Sequence, residues 1–215
     1  MDDNRILILD AMEINLCLMI LGKREWNGMP PLESDVPLEQ RMVDAFVHLC
    51  NLGMLTPWDD GWERSPLLHE LFDPVAEPDT TLLLSQIGPQ VCLYRQGDHC
   101  TLFSQLLMQP ESCRVLSMNI KETAAYLRAH LDEYAAFLEP DEKTSEGKVS
   151  DSAPCTLQML DGSGALLRIF WLRKDGDTLL ANEAIEADES DELKAVDSIA
   201  VTDAWLEALV MEEKP

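Results

Sequence analysis

The chain has 215 residues, of which 46% are hydrophobic, and its net charge is −24. That length and composition can fill a sizeable core and argue against global disorder. The electrostatic field of such a negatively charged protein repels phosphate backbones and anionic lipid heads. We therefore expect it neither to bind nucleic acid nor to insert into a membrane. A basic, neutral or apolar protein remains open as a partner.

The cysteines and the N-terminus point to the cytoplasm. None of the six cysteines lies in a Cys-x-x-Cys pair, so we expect reduced, largely buried thiols rather than disulfides or a metal site. They stand at positions 17, 50, 92, 100, 113 and 155. Met1-Asp2-Asp3 is acidic where a signal peptide is basic. Asp10, Glu13 and Asn15 interrupt the apolar run that follows, which predicts no membrane span.

The first 79 residues predict a helical module that opens with a short strand at residues 5–9. Asp10 and Glu13 form a capping box that starts a helix ending at Gly22. This helix is apolar nearly all round, which is typical of burial between layers. Pro37 should open a second helix as its first residue. The apolar residues of that helix repeat down one face, at Leu38, Met42, Val43, Phe46, Leu49 and Cys50.

A tight hairpin and a third helix complete this module. The hairpin turns at Asp59-Asp60-Gly61, and Ser65-Pro66 cap a short helix that we expect to end at Phe72. Two helices, a hairpin and another helix follow the order of a winged-helix-like module. DNA binding is disfavoured, because acidic side chains occupy positions where phosphate contacts need lysine or arginine. These are Asp35, Glu39, Asp44, Asp59, Asp60, Glu63 and Glu70.

The rest of the chain contains one pattern twice. Residues 92–98 correspond to residues 170–177, with one residue inserted before the glycine. In each copy a β-hairpin with a Gly-Asp turn precedes a further strand and a helix, which starts at Lys121 and at Thr202. We therefore predict an α+β fold with one mixed or antiparallel sheet formed by both pseudo-repeated units. A pseudo-two-fold axis should relate the units, and the winged-helix-like module should pack against them.

These patterns divide the chain into four segments, which we expect to form one compact domain. Residues 1–79 are the N-terminal strand and helical module, and residues 80–138 are the first β/α repeat. Residues 139–153 predict a mobile acidic linker, since they are almost free of apolar side chains. Residues 154–215 are the second repeat. Six of the ten residues from Glu183 to Glu192 are acidic, which predicts an exposed loop or strand edge.

The sequence contains no recognisable catalytic or cofactor-binding motif. It lacks a phosphate-binding glycine loop, a paired-histidine motif and a Gly-x-Ser-x-Gly motif. His99 and Cys100 are neighbours on a predicted strand, so they should face opposite sides of a sheet and form no thiol–imidazole pair. The acidic runs lack the spacing of a calcium loop. We expect no catalytic residue, no cofactor and no metal.

The order of motifs along the chain resembles that of a known family. The opening strand and helix end in Leu21-Gly22 and lead into a proline-containing loop. The helical module continues through Leu52-Gly53-Met54-Leu55, Asp60-Gly61, Ser65-Pro66-Leu67-Leu68 and Glu77-Pro78-Asp79. Hairpins follow at Gln96-Gly97-Asp98 and Asp175-Gly176-Asp177. In this order the chain looks like a short, divergent relative of the EspG family, the cytosolic chaperones of type VII (ESX) secretion.

The resemblance implies a partner and a place for it to bind. Members of that family have no enzyme activity and no cofactor, and a hairpin loop at the sheet edge and a helical region hold the tip of an exported helical protein. A hairpin turn projects beyond its sheet, where binding loops are common. The predicted partner-binding residues are Gln96, Gly97, Asp98 and His99. If this turn takes no part, the helical module around Trp58 and Trp62 is the next candidate.

The expected function is that of a cytoplasmic accessory or chaperone protein that binds a helical type VII secretion substrate, either one protein or a protein pair. The alternative is an acidic regulatory or immunity-type protein that neutralises a basic protein. An enzyme of unknown reaction is a third class. A binder of helix tips needs apolar and aromatic contacts, whereas a charge neutraliser loses affinity steeply with salt.

Overall fold

The computed structural model of the protein describes residues 6–23, 36–59, 61–86, 91–106, 109–129, 155–175, 178–185 and 194–200. The chain divides into two units. The first combines Met1–Asp79 with Cys92–Met118, and the second combines Thr80–Val91 with Asn119–Pro215.

The fold class is α+β, as predicted. Each of the six strand pairs whose register is described is antiparallel. The chain first forms β1 (Leu7–Asp10), α1 (Ala11–Ile20), α2 (Leu38–Asn51), β2 (Leu55–Trp58), β3 (Gly61–Arg64) and α3 (Pro66–Ala76). It continues with β4 (Thr80–Gln86), β5 (Val91–Gln96), β6 (His99–Leu106), β7 (Gln109–Asn119) and α4 (Ile120–Ala129). The last described elements are β8 (Cys155–Asp161), β9 (Leu166–Asp175), β10 (Thr178–Ile185) and β11 (Lys194–Ala200).

Each unit contains a run of hydrogen-bonded strands. In the first unit the order is β1-β7-β6-β5, and Leu9 of β1 lies opposite Cys113 of β7. In the second unit the order is β4-β8-β9-β10-β11, and Leu82 of β4 lies opposite Met159 of β8. Strands β2 and β3 form a separate hairpin in the first unit.

Helix α1 has the predicted caps and the predicted burial. Glu13 N–H donates to Asp10 Oδ1 (2.8 Å), and Asp10 N–H donates to Glu13 Oε2 (2.7 Å), so the capping box is formed. Gly22 follows the C-cap Leu21 with φ of +84°, a conformation that glycine adopts without strain. Eight of the ten helical residues are buried.

Helix α2 begins one residue later than predicted. Pro37 is its N-cap, with a ψ of 139° that is extended rather than helical, and Leu38 is the first helical residue. The helix ends at Asn51 and the chain turns at Gly53, whose φ is +74°. Only Ala45 and Leu49 are buried. The apolar periodicity therefore predicts the helix correctly, but most of the apolar side chains that define it are not covered by the rest of the protein.

Helix α3 has polar partners at both ends. Ser65 is the N-cap, and its hydroxyl accepts a hydrogen bond from Leu68 N–H (3.2 Å). At the other end, Lys23 Nζ donates to the carbonyl oxygen of Ala76 (2.8 Å). A cation beside the last carbonyls of a helix satisfies an acceptor and interacts favourably with the helix macrodipole. Lys23 thereby connects the segment after α1 to the end of α3.

The prediction that α3 ends at Phe72 is wrong, because the helix continues to Ala76 with Pro74 inside it. A proline removes one backbone donor, which usually ends or kinks a helix. Here Phe72, Pro74 and Val75 are all buried. The burial of these apolar side chains offsets the missing hydrogen bond.

The core of the first unit joins α3 to the sheet. Phe103 of β6 packs edge-on against Phe72 of α3 and Tyr94 of β5, with ring centroids 6.0 and 5.8 Å apart. Thr101 is fully buried, and its hydroxyl donates to the carbonyl oxygen of Leu71 (2.8 Å). Buried polar groups are stable only when they are paired in this way.

In the second unit, helix α4 begins one residue before the predicted Lys121. Glu122 N–H donates to Asn119 Oδ1 (2.9 Å), and Asn119 N–H donates to Glu122 Oε2 (3.0 Å). These two bonds form a second capping box. The buried hydroxyl of Thr123 donates to the Asn119 carbonyl oxygen (2.9 Å).

A tight turn follows β8 in the second unit. Asp161 Oδ1 accepts hydrogen bonds from Ser163 N–H (2.8 Å), the Ser163 hydroxyl (2.6 Å) and Ala165 N–H (2.9 Å). The Ser163 hydroxyl and the backbone donors lower the pKa of the Asp161 carboxyl. Asp161 thus folds the turn that returns the chain into β9.

Several sequence predictions lie outside the described residues. They are the linker at residues 139–153, the helix from Thr202 onwards, and most of the acidic stretch, whose first residues, 183–185, belong to β10. None of the four helices in the described part of the chain is both long enough and apolar enough to cross a membrane.

Candidate functional site

The predicted binding turn connects β5 to β6 and is held by its neighbours. Gly97 N–H donates to Asp79 Oδ2 (2.6 Å), and Arg95 Nε donates to the Gly97 carbonyl oxygen (2.9 Å). Asp79 N–H in turn donates to the Arg95 carbonyl oxygen (2.7 Å). Gly97 has φ of +57°, a conformation that glycine adopts without strain and that is unfavourable for most other residues. Gly97, Asp98 and His99 are exposed and Gln96 is half-buried.

This geometry limits how the turn could bind a partner. The N–H and C=O groups of Gly97 already have partners within the chain, so they offer little to the backbone of a bound helix. The exposed side chains of Asp98 and His99 remain as its contact groups.

A second candidate site lies on α2 and the β2–β3 hairpin. Six large apolar side chains there are between 38% and 67% exposed. We call five of them the α2–hairpin surface: Leu38, Met42, Val43, Val47 and Trp62. Trp58 lies on the other face of the hairpin, because it pairs with Gly61 while its neighbour Pro57 pairs with Trp62. Exposed apolar groups of this size that cluster commonly mark a site of protein interaction. Tryptophan and methionine are enriched in such interfaces.

Aromatic and buried side chains hold the hairpin beside α2. The rings of Phe46 and Trp62 lie 5.7 Å apart at an angle of 59°. Leu55, the first residue of β2, is buried together with Met54. On the outer side of the hairpin, Trp58 Nε1 donates to Glu63 Oε2 (3.3 Å). The two tryptophans are therefore presented on a structured hairpin rather than on a loose loop.

Charged groups border the α2–hairpin surface, and acidic ones predominate. Asp44 accepts a hydrogen bond from Gln40 Nε2 (2.8 Å) on the same helix. Arg64 is exposed at the end of β3, and Arg41 is half-buried. The exposed acidic side chains are Glu39, Asp44, Asp59 and Glu63.

Sequence reasoning identified parts of this surface but not its exposure. The periodic pattern includes Leu38, Met42 and Val43, and patterns of that kind usually mark a core-facing stripe. Val47 lies outside the stripe, one helical turn after Val43. The two tryptophans that flank the hairpin turn were the one local signal, since exposed aromatic residues are costly without a partner.

Below this surface, a buried carboxylate joins α1 to α2. Glu13 is buried, and its Oε1 contacts Nδ1 of the half-exposed His48. Burial raises the pKa of Glu13 above its ordinary 4.5, although hydrogen bonds from Asp10 N–H and His48 act in the opposite direction. The His48 ring thus has a partner within the chain.

Five cysteines are free thiols, and the burial of most of them disfavours nucleophilic chemistry; they are Cys17, Cys50, Cys92, Cys100 and Cys113. Burial raises the pKa of Cys92 to about 12 and that of Cys113 to about 11. Burial and the nearby Glu13 carboxylate also raise the pKa of Cys17. Cys100 is fully buried whereas His99 is exposed, so the two face opposite sides of β6 as predicted.

Comparison with known proteins does not assign the chain to a family. No protein-family model matches the sequence, and no curated protein matches it either. Within the described residues, no group of three or more His, Cys, Asp or Glu side chains is arranged to hold a metal ion.

Proposed function

We propose that this protein is a cytoplasmic accessory or chaperone protein that binds a helical secreted protein, as the resemblance to the EspG family implies. The observation that carries this proposal is the α2–hairpin surface, in which Trp62, Val43 and Val47 are each more than half exposed. Val43 and Val47, one turn apart on α2, suit contact with an amphipathic helix, which presents its own apolar residues at three- and four-residue spacing. Tryptophans in such a contact contribute a large share of the binding energy.

Charge favours one kind of helical partner. The surface is bordered mainly by carboxylates, and the whole chain carries a charge of −24. A second copy of this chain would therefore be repelled, whereas lysine or arginine beside the apolar stripe of a partner would be attracted. The proposed partner is an amphipathic helix, from one protein or a protein pair, with basic residues flanking its apolar face.

The turn at Gln96, Gly97, Asp98 and His99 is proposed as a second contact of the same partner. Its support is the exposure of Asp98 and His99 on a turn that Asp79 holds in place. A helix tip exposes unpaired backbone groups, and a carboxylate such as Asp98 can accept hydrogen bonds from them.

The finer description of the fold is also a proposal. We propose that the two copies are pseudo-repeats and that the N-terminal module is winged-helix-like. The run β5-β6-β7 in the first unit and the run β9-β10-β11 in the second have the same order, which supports the repeat. The order of elements, with α1 and α2 followed by the β2–β3 hairpin and α3, supports the winged-helix-like module.

Paired surface variants test the function. Val43→Ser with Val47→Ser removes apolar area from the α2–hairpin surface, and Met19→Ser is the control, because Met19 is equally exposed on α1. Tagged proteins expressed at equal levels in the native host would be purified and their bound proteins quantified by mass spectrometry. We expect the double variant to lose at least one helical protein that the wild type and Met19→Ser retain. Equal recovery with all three proteins would contradict the proposal.

The net charge supports a second candidate function, that of an acidic protein that neutralises a basic one. Ionic strength separates the two functions, since the Debye length falls to about 3 Å at 1 M salt. A charge neutraliser would release its partner in that buffer. An apolar contact at the α2–hairpin surface would persist.

A further inference from the structure

The β2–β3 hairpin has a second face, which the α2–hairpin surface does not include. Side chains alternate between the two faces along a strand, and directly paired residues share a face. Trp58 pairs with Gly61 and Thr56 pairs with Glu63, so these residues lie on the face opposite to that of Trp62. We call Thr56, Trp58 and Glu63 the outer hairpin face. All three are exposed, and Trp58 is 67% exposed.

A hydrogen bond positions the indole ring of Trp58 beside the carboxylate of Glu63. Trp58 Nε1 donates to Glu63 Oε2 (3.3 Å). Gly61, directly opposite Trp58, has no side chain to cover the ring. Apart from its chain neighbours, no described atom lies within 4 Å of where a Cβ of Gly61 would be. The ring and the carboxylate therefore stand side by side on an open surface.

The charge of this face calls for a cation. Among the described residues, no lysine or arginine forms an ion pair with Glu63. Its neighbour Arg64 pairs with Leu55 and so belongs to the other face of the hairpin. Asp59, which follows Trp58, is exposed and adds a second negative charge. Together with the net charge of −24, these carboxylates attract a positively charged group and repel a negative one.

An indole face beside a carboxylate suits a guanidinium group best. A cation over the face of an aromatic ring is attracted by the ring quadrupole, and tryptophan is the strongest such partner. The guanidinium of arginine is planar, so it stacks on the ring while its N–H donors reach a carboxylate. Glu63 Oε1 can accept one of these donors, because Trp58 bonds to Oε2. The ammonium of lysine is more strongly hydrated and cannot stack.

We propose that Trp58 and Glu63 form a binding site for an arginine side chain of a protein segment, with the guanidinium stacked on the indole and hydrogen-bonded to the carboxylate. A free arginine also carries an α-carboxylate, which Asp59 and Glu63 repel, whereas within a polypeptide that group is a neutral amide. The site lies on the opposite face of the hairpin from Trp62. It therefore goes beyond the helix binding proposed above and does not depend on it.

Nuclear magnetic resonance of the isotope-labelled full chain tests the site, since it detects the weak binding of a single side chain. Trp58→Leu assigns the Trp58 indole N–H resonance by its loss. The probes are the N-acetyl amides of arginine, of lysine and of citrulline, which has nearly the shape of arginine but no charge. We expect the arginine probe to shift the Trp58 resonance about two- to fivefold more per unit concentration than the citrulline probe. The lysine probe should shift it less than the arginine probe.

Two matched variants show whether the carboxylate takes part. Glu63→Gln keeps an oxygen that can accept Trp58 Nε1 but removes the charge, and it should lower the response to the arginine probe about two- to fivefold. Glu70→Gln removes an exposed carboxylate from α3 in the same unit and should leave the response unchanged.

Three results would overturn the site. They are equal shifts with the arginine and citrulline probes, an undiminished response in Glu63→Gln, and a shift of the Trp62 indole resonance as large as that of Trp58. An equal response to the lysine probe would contradict the choice of arginine. None of these outcomes bears on the proposed helix binding, because no helical partner is present.

Discussion

The hydroxyl of Thr101 is the residue-scale feature that links the sheet of the first unit most directly to a helix. Thr101 is fully buried on β6, and its hydroxyl donates to the Leu71 carbonyl oxygen of α3 (2.8 Å). The sequence shows a threonine within an apolar strand, but a polar group of this kind has no periodic signal. Its partner lies thirty residues away in the chain, so only the folded structure reveals the pair.

Thr101→Val should lower the free energy of unfolding by about 1 kcal/mol, because valine preserves the shape of threonine but cannot donate the hydrogen bond. Chemical denaturation monitored by circular dichroism would measure the change. Thr56→Val is the control, since Thr56 is exposed on β2 and the same substitution there should change the free energy of unfolding by less than about 0.5 kcal/mol. If both variants unfolded at the denaturant concentration of the wild type, the buried bond would contribute nothing.

At the same scale, the capping box of α1 could be predicted from sequence whereas the contact of its glutamate with α2 could not. The spacing of Asp10 and Glu13 alone identifies the box. That Glu13 also contacts His48 depends on how α1 and α2 pack, which no local pattern contains.

At the scale of elements, the sequence predicts the presence and order of the helices and hairpins well, and their ends and exposure less well. The end of α3 was misplaced because the preference against Pro74 within a helix is local, whereas the burial that offsets it is tertiary. The face of α2 shows the same limit. Three- and four-residue spacing identifies an apolar stripe, but whether something covers Leu38 or Val43 is decided by the rest of the fold.

The turn between β5 and β6 supplies an element-scale prediction. Replacing both Asp98 and His99 with alanine should weaken partner capture by roughly 1–3 kcal/mol and leave the melting temperature almost unchanged, since exposed contacts contribute to binding rather than to the core. Pull-down from the native host at matched expression measures the first effect, and thermal denaturation measures the second.

Glu77→Ala is the control for loss of an acidic charge, because Glu77 is exposed in the same unit. Undiminished recovery of every partner by the Asp98/His99 double variant would remove the turn from the site and leave the α2–hairpin surface as the contact.

At the scale of the whole molecule, the α+β class follows from runs of consecutive strands separated from the helices, and antiparallel pairing follows from the short turns within those runs. The repeat could be noticed only because residues near Cys92 and Phe170 remain similar. Its expected pseudo-two-fold axis, which would bring both copies into one sheet, stays a prediction. An experimental structure with the copies in separate, non-contacting domains would contradict it.

The acidic stretch at residues 139–153 yields a prediction about the whole chain. It has scarcely any apolar side chain to offset an ordering cost of about 1–2 kcal/mol per residue. Limited proteolysis should therefore cut within this stretch first and leave the two halves associated on size-exclusion chromatography. Protection of this stretch, with earlier cleavage elsewhere, would contradict the expectation.

Site-specific photo-crosslinking tests most directly whether the α2–hairpin surface binds a helix with an apolar stripe flanked by basic residues. A photoreactive amino acid would replace Val47 in one variant and Met19 in the other, both exposed in the first unit. After irradiation in the native host, mass spectrometry would identify the crosslinked peptides. We expect position 47 to capture an amphipathic helical segment rich in lysine or arginine and position 19 not to do so. Equal capture at both positions, or capture at position 47 of segments without that pattern, would contradict the proposed binding.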